Sequence, residues 1–232
     1  MRKVFHISAK QRFFLKTYGY NAELLSIIVC MKEKPFTAES IADFLKNDTL
    51  VPVALCIGTD RVIGDALGPV VGELLVSAFN APFFVYGTLA SPVTALNLGA
   101  ALDFIRRRHP GQKLIAIDSS MGKAQDVGKI RLTDGGIRPG LASGKRLPVT
   151  GDLSVTATVA ASNESNAINC VKLGFVYKTA TEIAQILVRG INLFLKNRLS
   201  EAASQNKRLK PGPTAPSRRI AAARCPFPLR YK

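Results

Sequence analysis

Three aspartates stand at or just after the ends of apolar segments, and their positions favour acid–base chemistry. Asp60 and Asp65 lie in the loop Gly-Thr-Asp-Arg-Val-Ile-Gly-Asp that follows the apolar segment 51–57, and Asp118 directly follows the apolar segment 113–117. Two carboxylates held close together cannot both ionise without cost, so one of them keeps a proton. Such a pair can act as general acid and general base on a bound water.

An ordinary structural role for the same aspartates stays open at this point. Asp65 could N-cap a helix that begins near Leu67, and Asp118 could cap a turn after its strand. Other catalytic motifs are weaker, because Gly58-Thr59-Asp60 reverses the Asp-Thr-Gly order of pepsin-like proteases and the loop lacks the Gly-Lys-[Ser/Thr] of a phosphate-binding loop. Ser119-Ser120 offers hydroxyl groups, but not in a Gly-x-Ser-x-Gly elbow.

The elements that would position the aspartates alternate between strand and helix. The apolar patterns predict helices over 37–46, 67–79, 93–108 and 177–195, and strands over 51–57, 83–86, 113–117, 128–132 and 153–159. Crossovers of a dozen or more residues favour an α/β fold with a mainly parallel sheet covered on both faces. Ligands bind beyond the carboxyl ends of such strands, so Asp60, Asp65 and Asp118 are expected at one edge, with glycines 58 and 64 letting the loop fold back.

Charge divides the chain into three parts. The net charge is +16, but residues 196–232 hold 10 basic side chains and one acidic one, so the body is only mildly basic. We interpret residues 1–35 as an N-terminal extension, 36–199 as the α/β domain and 200–232 as a basic disordered tail. Translation from Met31 instead of Met1 is an alternative for the extension. A tail that binds nucleic acid is a further hypothesis, but the body lacks a basic stripe or stacking aromatic residues and the hypothesis is not favoured.

Cysteine and histidine give little support to a metal or disulfide site. The four cysteines are far apart, and Cys56 is interpreted as a small buried residue of its strand. His109 follows three arginines and is expected to be an exposed residue at a helix end. No apolar segment is long enough to span a bilayer. The sequence therefore predicts a cytoplasmic protein without a cofactor or a metal, and leaves a homo-oligomer open.

The segments around the aspartates resemble one known family. Cys56-Ile57-Gly58-Thr59-Asp60-Arg61 and Gly64-Asp65-Ala66-Leu67-Gly68-Pro69 look like the signature of the YyaC-type spore proteins of endospore-forming bacteria. The segments 85–89, 115–118 and 147–153 agree with it, and the similarity spans about residues 50–195.

This resemblance implies a phosphorylase/hydrolase-like three-layer α/β fold and a peptidase activity. YyaC-type proteins are similar to the germination protease that degrades small acid-soluble spore proteins, and more distantly to the hydrogenase maturation endopeptidases. In the germination protease two aspartates form the acid pair, and Asp65 and Asp118 match their positions. Gly58, Thr59, Asp60 and Asp152 are then expected as polar or binding contributors, and the location is the sporulating cell or spore core.

Departures from these relatives leave a second interpretation open. The hydrogenase endopeptidases hold a metal with two acidic residues and a histidine, but residues 110–232 contain no histidine. Ser119-Ser120 and the segment 161–165 also differ from the pattern of the family. The alternative to a peptidase is therefore a non-catalytic sporulation protein that keeps the fold and binds a ligand or a protein partner.

Overall fold

A mixed sheet forms the centre of this computed structural model, which describes residues 33–139, 148–163 and 166–208. Its strands in chain order are β1 (Glu33–Lys34), β2 (Val53–Cys56), β3 (Phe84–Tyr86), β4 (Leu114–Gly122), β5 (Ile130–Asp134) and β6 (Leu153–Ala161). The spatial order is β1-β5-β6-β4-β2-β3. Strands β3, β2, β4 and β6 pair in parallel, whereas β5 and β1 are antiparallel to their neighbours.

The chain reverses its direction across the sheet between β2 and β4. From β2 it moves outward to β3, and the next strand, β4, returns to the other side of β2. A crevice forms above the carboxyl ends of two parallel strands at such a switch point, since their following loops diverge. The loop after β2 and the second half of β4 both lie here.

Helices cover both faces of this sheet and make it the middle layer of three. Their bounds are α1 (Ala38–Leu45), α2 (Leu67–Glu73, continued by a π-helical turn, Leu74–Ala78), α3 (Leu98–Arg108) and α4 (Leu173–Arg208). Helices α1, α2 and α4 pack in one core cluster with Ile115 and Ile117 of β4, and α3 packs on the opposite face against β2 and Ala116. The predicted three-layer α/β fold with a mainly parallel sheet is confirmed.

Several predicted boundaries are wrong for identifiable reasons. Strand β4 does not end at Ile117, because β6 pairs with it as far as Gly122. Helix α3 begins at Leu98 and not at Val93, because Val93 forms a parallel bridge with Ile57. Strand β1 has no counterpart among the predicted strands. Residues 33 and 34, assigned to the extension, pair with β5 and so belong to the sheet.

The last helix of the described chain extends past residue 200, where the predicted basic tail begins. Helix α4 continues to Arg208, since neither proline nor glycine interrupts residues 191–208. The rest of the predicted basic tail, from residue 209, and residues 1–32 lie outside the described residues. No helix within the described ranges is both long and apolar enough to cross a membrane.

His109 is buried, which contradicts the expectation of an exposed helix end. It is 7% exposed, its Nε2 lies 2.7 Å from the hydroxyl of Tyr86, and its ring packs against Phe84 at a centroid distance of 4.3 Å. Phe84 pairs with Val53, the first residue of β2, so His109 lies towards the amino ends of the strands. Cys56, in contrast, is buried within β2 as predicted, and burial raises the pKa of its thiol.

Candidate active site

Asp118 lies just beyond the point where β4 loses its neighbour β2. The last paired residues of these strands are Cys56 and Ile117, so Asp118 is the first residue of β4 past the carboxyl end of β2. It continues to pair with Thr156 of β6 on the other side. Asp118 is 8% exposed, and its position at the open end of the crevice follows from the difference in length between β2 and β4.

The loop after β2 folds back and brings Asp65 to the same crevice. Its Oδ2 accepts a hydrogen bond from the backbone N–H of Thr59 at 3.0 Å, which closes the loop, and the hydroxyl of Ser119 donates to its Oδ1 at 3.4 Å. Gly58 makes this turn with φ +146°, and a Cβ there would collide with the carbonyl oxygen of Asp65. Glycine is therefore required at position 58, where the start of the loop contacts the backbone of Asp65.

Burial and mutual repulsion change the acidity of both carboxyl groups. Burial raises the pKa of Asp65, while the hydrogen bonds from Thr59 and Ser119 act in the opposite direction. Burial also raises the pKa of Asp118 well above its usual range, and the negative charge of Asp65 raises it further. The two groups are therefore electrostatically coupled, and Asp118 is the one that holds a proton more strongly.

The structure does not support the alternative in which these aspartates are only caps. Asp65 lies in a short 3₁₀ turn, Ile63–Ala66, ahead of α2, and neither this turn nor α2 has a side-chain hydrogen bond at its N-cap. Asp118 is inside a strand and caps no turn. Asp65 does close its own loop through Thr59, so it combines a local structural role with a position beside Asp118.

The other residues expected at the site fall into two groups. Gly58 and Thr59 belong to the loop that holds Asp65, and Asp60 is exposed in the same loop. The structure does not bring Asp152 to this edge, so that expectation is corrected. Its Oδ2 accepts the N–H of Leu114, the first residue of β4, at 2.8 Å, which places it at the amino end of the strands. Its physical role is to hold β4 and the start of β6 together.

We expect Asp152→Ala to lower the free energy of unfolding by about 1 kcal/mol, because the Leu114 amide loses its acceptor. Asp152→Asn keeps an oxygen at that position and should lose less. Urea denaturation monitored by circular dichroism measures both variants. Equal stability of Asp152→Ala and the wild-type protein would contradict this role.

Ser119 is a contributor that the sequence did not identify as such. Along a strand, successive side chains point to opposite faces, so Asp118 and Ser119 diverge. Both nonetheless act on Asp65, because the loop after β2 carries Asp65 beyond the end of that strand. In the sequence, only the position of Ser119 next to Asp118 pointed to the site. Its hydrogen bond to Asp65 could not be predicted without the folded structure.

The residues around the pair do not fit a metal held by two carboxylates and a histidine. His109 lies towards the opposite edge and is engaged with Tyr86. Within residues 33–139, 148–163 and 166–208, no group of three or more His, Cys, Asp or Glu side chains is arranged to hold a metal ion.

These features define an α/β protein with a coupled acid pair at its topological switch point. Residues 29–186 match a family model described as "Protein of unknown function (DUF1256)", and the chain belongs to this family. It is 36% identical over 143 residues to "Uncharacterized protein YyaC" of Bacillus subtilis (strain 168), an alignment that covers 61% of this chain and 68% of that protein. The resemblance to YyaC-type proteins is thus confirmed.

The similarity to solved structures is weaker. The crystal structure of a [NiFe] hydrogenase maturation protease, HycI from Thermococcus kodakarensis KOD1, matches with 17% sequence identity and a TM-score of 0.37, covering 64% of this chain and 98% of that one. A similarity of this size carries no functional conclusion for the present chain.

Proposed function

We propose that this protein is a peptidase in which Asp65 and Asp118 activate water for hydrolysis of a peptide bond. The observation that carries the proposal is the coupling of the two carboxyl groups in the crevice between β2 and β4, where burial and the charge of Asp65 together raise the pKa of Asp118. Paired carboxyl groups with separated proton affinities supply an acid and a base at the same pH.

The two aspartates take different roles because their environments differ. Asp65 is partly exposed and accepts two hydrogen bonds, so it is the group that ionises more readily and removes a proton from water. Asp118 keeps its proton and donates it to the carbonyl oxygen as the water oxygen attacks the carbonyl carbon. As the tetrahedral intermediate collapses and the C–N bond breaks, Asp65 gives the proton that it took from water to the leaving amine. Asp118 takes back a proton from a hydroxyl group of the intermediate, and the new carboxylic acid is released.

The sequence resemblance supports the proposed substrate class and setting. The germination protease, with aspartates at the positions of Asp65 and Asp118, degrades small acid-soluble spore proteins, and these are the first substrates to test. A role in the cytoplasm of sporulating cells or the spore core belongs to the same proposal. The alternative is a non-catalytic sporulation protein, which the departure at Ser119-Ser120 favours.

The test is incubation of the full chain with small acid-soluble spore proteins, followed by mass spectrometry of the products. Asp65→Asn keeps an oxygen that accepts from Thr59 but removes the base, so cleavage should fall at least about 100-fold. The control is Asp103→Asn, which makes the same change at an exposed position on α3 and should cleave like the wild-type protein. Cleavage by Asp65→Asn at the wild-type rate would exclude the mechanism, and no cleavage by any form would favour the non-catalytic alternative.

A further inference from the structure

A cavity of about 490 Å³ opens between α2, the loop after β3 and the start of α4. Its walls include Val70 and Leu74 of α2, Leu89 of the loop, and Leu173 and Tyr177 of α4. Leu89, Leu173 and Tyr177 are 40%, 59% and 55% exposed. Large apolar side chains that remain exposed around a concavity are typical of a binding site.

All three walls of the cavity follow the carboxyl ends of strands, as the acid pair does. Val70 is five residues after Asp65 along the same helical segment, a rise of about 7 Å. Gly64 packs directly on Ile168, shortly before α4 begins. Leu89 follows Gly87, which packs against the carbonyl oxygen of Cys56, the last residue of β2. Leu89 and the start of α4 therefore lie at the same end of the sheet as Asp65.

Val70, the cavity residue nearest to Asp65 in the sequence, is separated from it by a rise of about 7 Å along the helix, which an extended peptide can span. Such a chain advances about 3.3 Å per residue, so a rise of about 7 Å corresponds to two or three residues. Glu73 is the one charged residue among those that line the cavity in the described part of the chain. Its carboxylate repels an acidic side chain in the cavity. The other lining residues are mainly apolar and favour an apolar side chain.

We propose that this cavity is a specificity pocket that takes a large apolar side chain, of leucine or phenylalanine size, from a peptide substrate. The side chain belongs to a residue two or three positions from the bond that is cut. This inference rests on the proposed peptidase function, because the pocket would bind a side chain of the same peptide that Asp65 and Asp118 cleave. Burial of one such side chain changes peptide affinity by about tenfold or more.

Two glycines provide a matched pair of variants for the test. Gly174 lines the cavity as the second residue of α4, and Gly99 is the second residue of α3 on the opposite face of the sheet. Both are exposed, and a Cβ added at either one meets no atom within 4 Å. Gly174→Leu therefore fills the cavity without a backbone clash, and Gly99→Leu makes the same change elsewhere.

The probes are fluorescein-labelled hexapeptides Ala-Ala-Xaa-Ala-Ala-Lys, with leucine, phenylalanine, alanine or glutamate as Xaa. They are bound to the Asp65→Asn protein, which removes cleavage from the measurement, and affinity is read by fluorescence anisotropy. The leucine and phenylalanine peptides should bind at least about tenfold more tightly than the alanine peptide, with glutamate weakest. Adding Gly174→Leu should abolish this preference, and adding Gly99→Leu should leave it intact.

Three outcomes would contradict the proposal that this cavity is a specificity pocket. They are equal affinity for the leucine and alanine peptides, a preference that survives Gly174→Leu, and no binding of any peptide. The proposed peptidase function is tested separately, by cleavage with the wild-type protein. If the wild-type protein cleaves nothing, the peptidase proposal fails even when the binding preference and its loss in Gly174→Leu are observed.

Discussion

The Asp118→Asn variant is expected to lose peptidase activity and, at neutral pH, to be more stable than the wild-type protein. The loss of activity follows because asparagine cannot donate the proton that Asp118 holds, and a general acid contributes about 10²–10⁴-fold to the rate. The gain in stability follows because Asp118 is buried beside Asp65 and its ionised form is unfavourable there. An amide of the same shape removes that cost.

The stability difference should depend on pH in a defined direction. The pKa of Asp118 is raised in the folded protein, so its contribution to stability is fully present below the ordinary carboxyl value, about 4, and is lost as pH rises through the raised folded value. Asparagine does not titrate. The two proteins should therefore have similar stability near pH 4, and Asp118→Asn should exceed the wild-type protein by on the order of 1 kcal/mol or more at pH 7.

Urea denaturation at a series of pH values measures this difference, with Asp103→Asn as the control. Asp103 is exposed on α3, so its variant should remain within about 0.5 kcal/mol of the wild-type protein at every pH. A lower stability of Asp118→Asn at pH 7, or a difference that does not grow from pH 4 to pH 7, would contradict a protonated, coupled Asp118. Loss of activity with a gain in stability separates a role in the site from a role in holding the fold.

The sequence was sufficient to predict the parts of the fold that depend on local patterns. Short apolar segments alternating with amphipathic ones predicted the order of strands and helices from β2 to α4, and that order by itself favours a parallel core. The expectation that Asp65 and Asp118 lie at one edge followed from the same order. The family resemblance added their assignment as a pair.

The errors come from contacts between residues far apart in the sequence. Asp152 was expected at the site because its segment takes part in the family resemblance, but its partner is Leu114, 38 residues away. His109 was expected in solvent because arginines precede it, and only the packing of α3 against the sheet brings its Nε2 within 2.7 Å of the Tyr86 hydroxyl. Strand β1 has two residues and no apolar pattern, so it exists only because β5 offers a free edge.

Gly68→Ala is expected to destabilise the protein by about 3 kcal/mol and to reduce peptidase activity, the opposite of what helix propensity predicts. Gly68 is the second residue of α2, and a Cβ there would collide with the carbonyl oxygen of Ile57 and lie 2.7 and 2.8 Å from its carbonyl carbon and nitrogen. Backbone atoms cannot rotate away as a flexible side chain can, so α2 must move off the end of β2.

That movement reaches the acid pair, because Asp65 precedes Gly68 by only three residues. The loop between β2 and α2 cannot absorb the movement, since Gly58 is already in close contact with the backbone of Asp65. Gly99→Ala is the matched control, since it occupies the same place in α3, meets nothing within 4 Å, and should leave stability equal or slightly raised. Thermal and urea denaturation with a peptide cleavage assay compare the two variants. If Gly68→Ala is as stable as Gly99→Ala, close contact between α2 and the end of β2 does not hold Asp65 in place, and the geometry of the acid pair must depend on Thr59 and Ser119 instead.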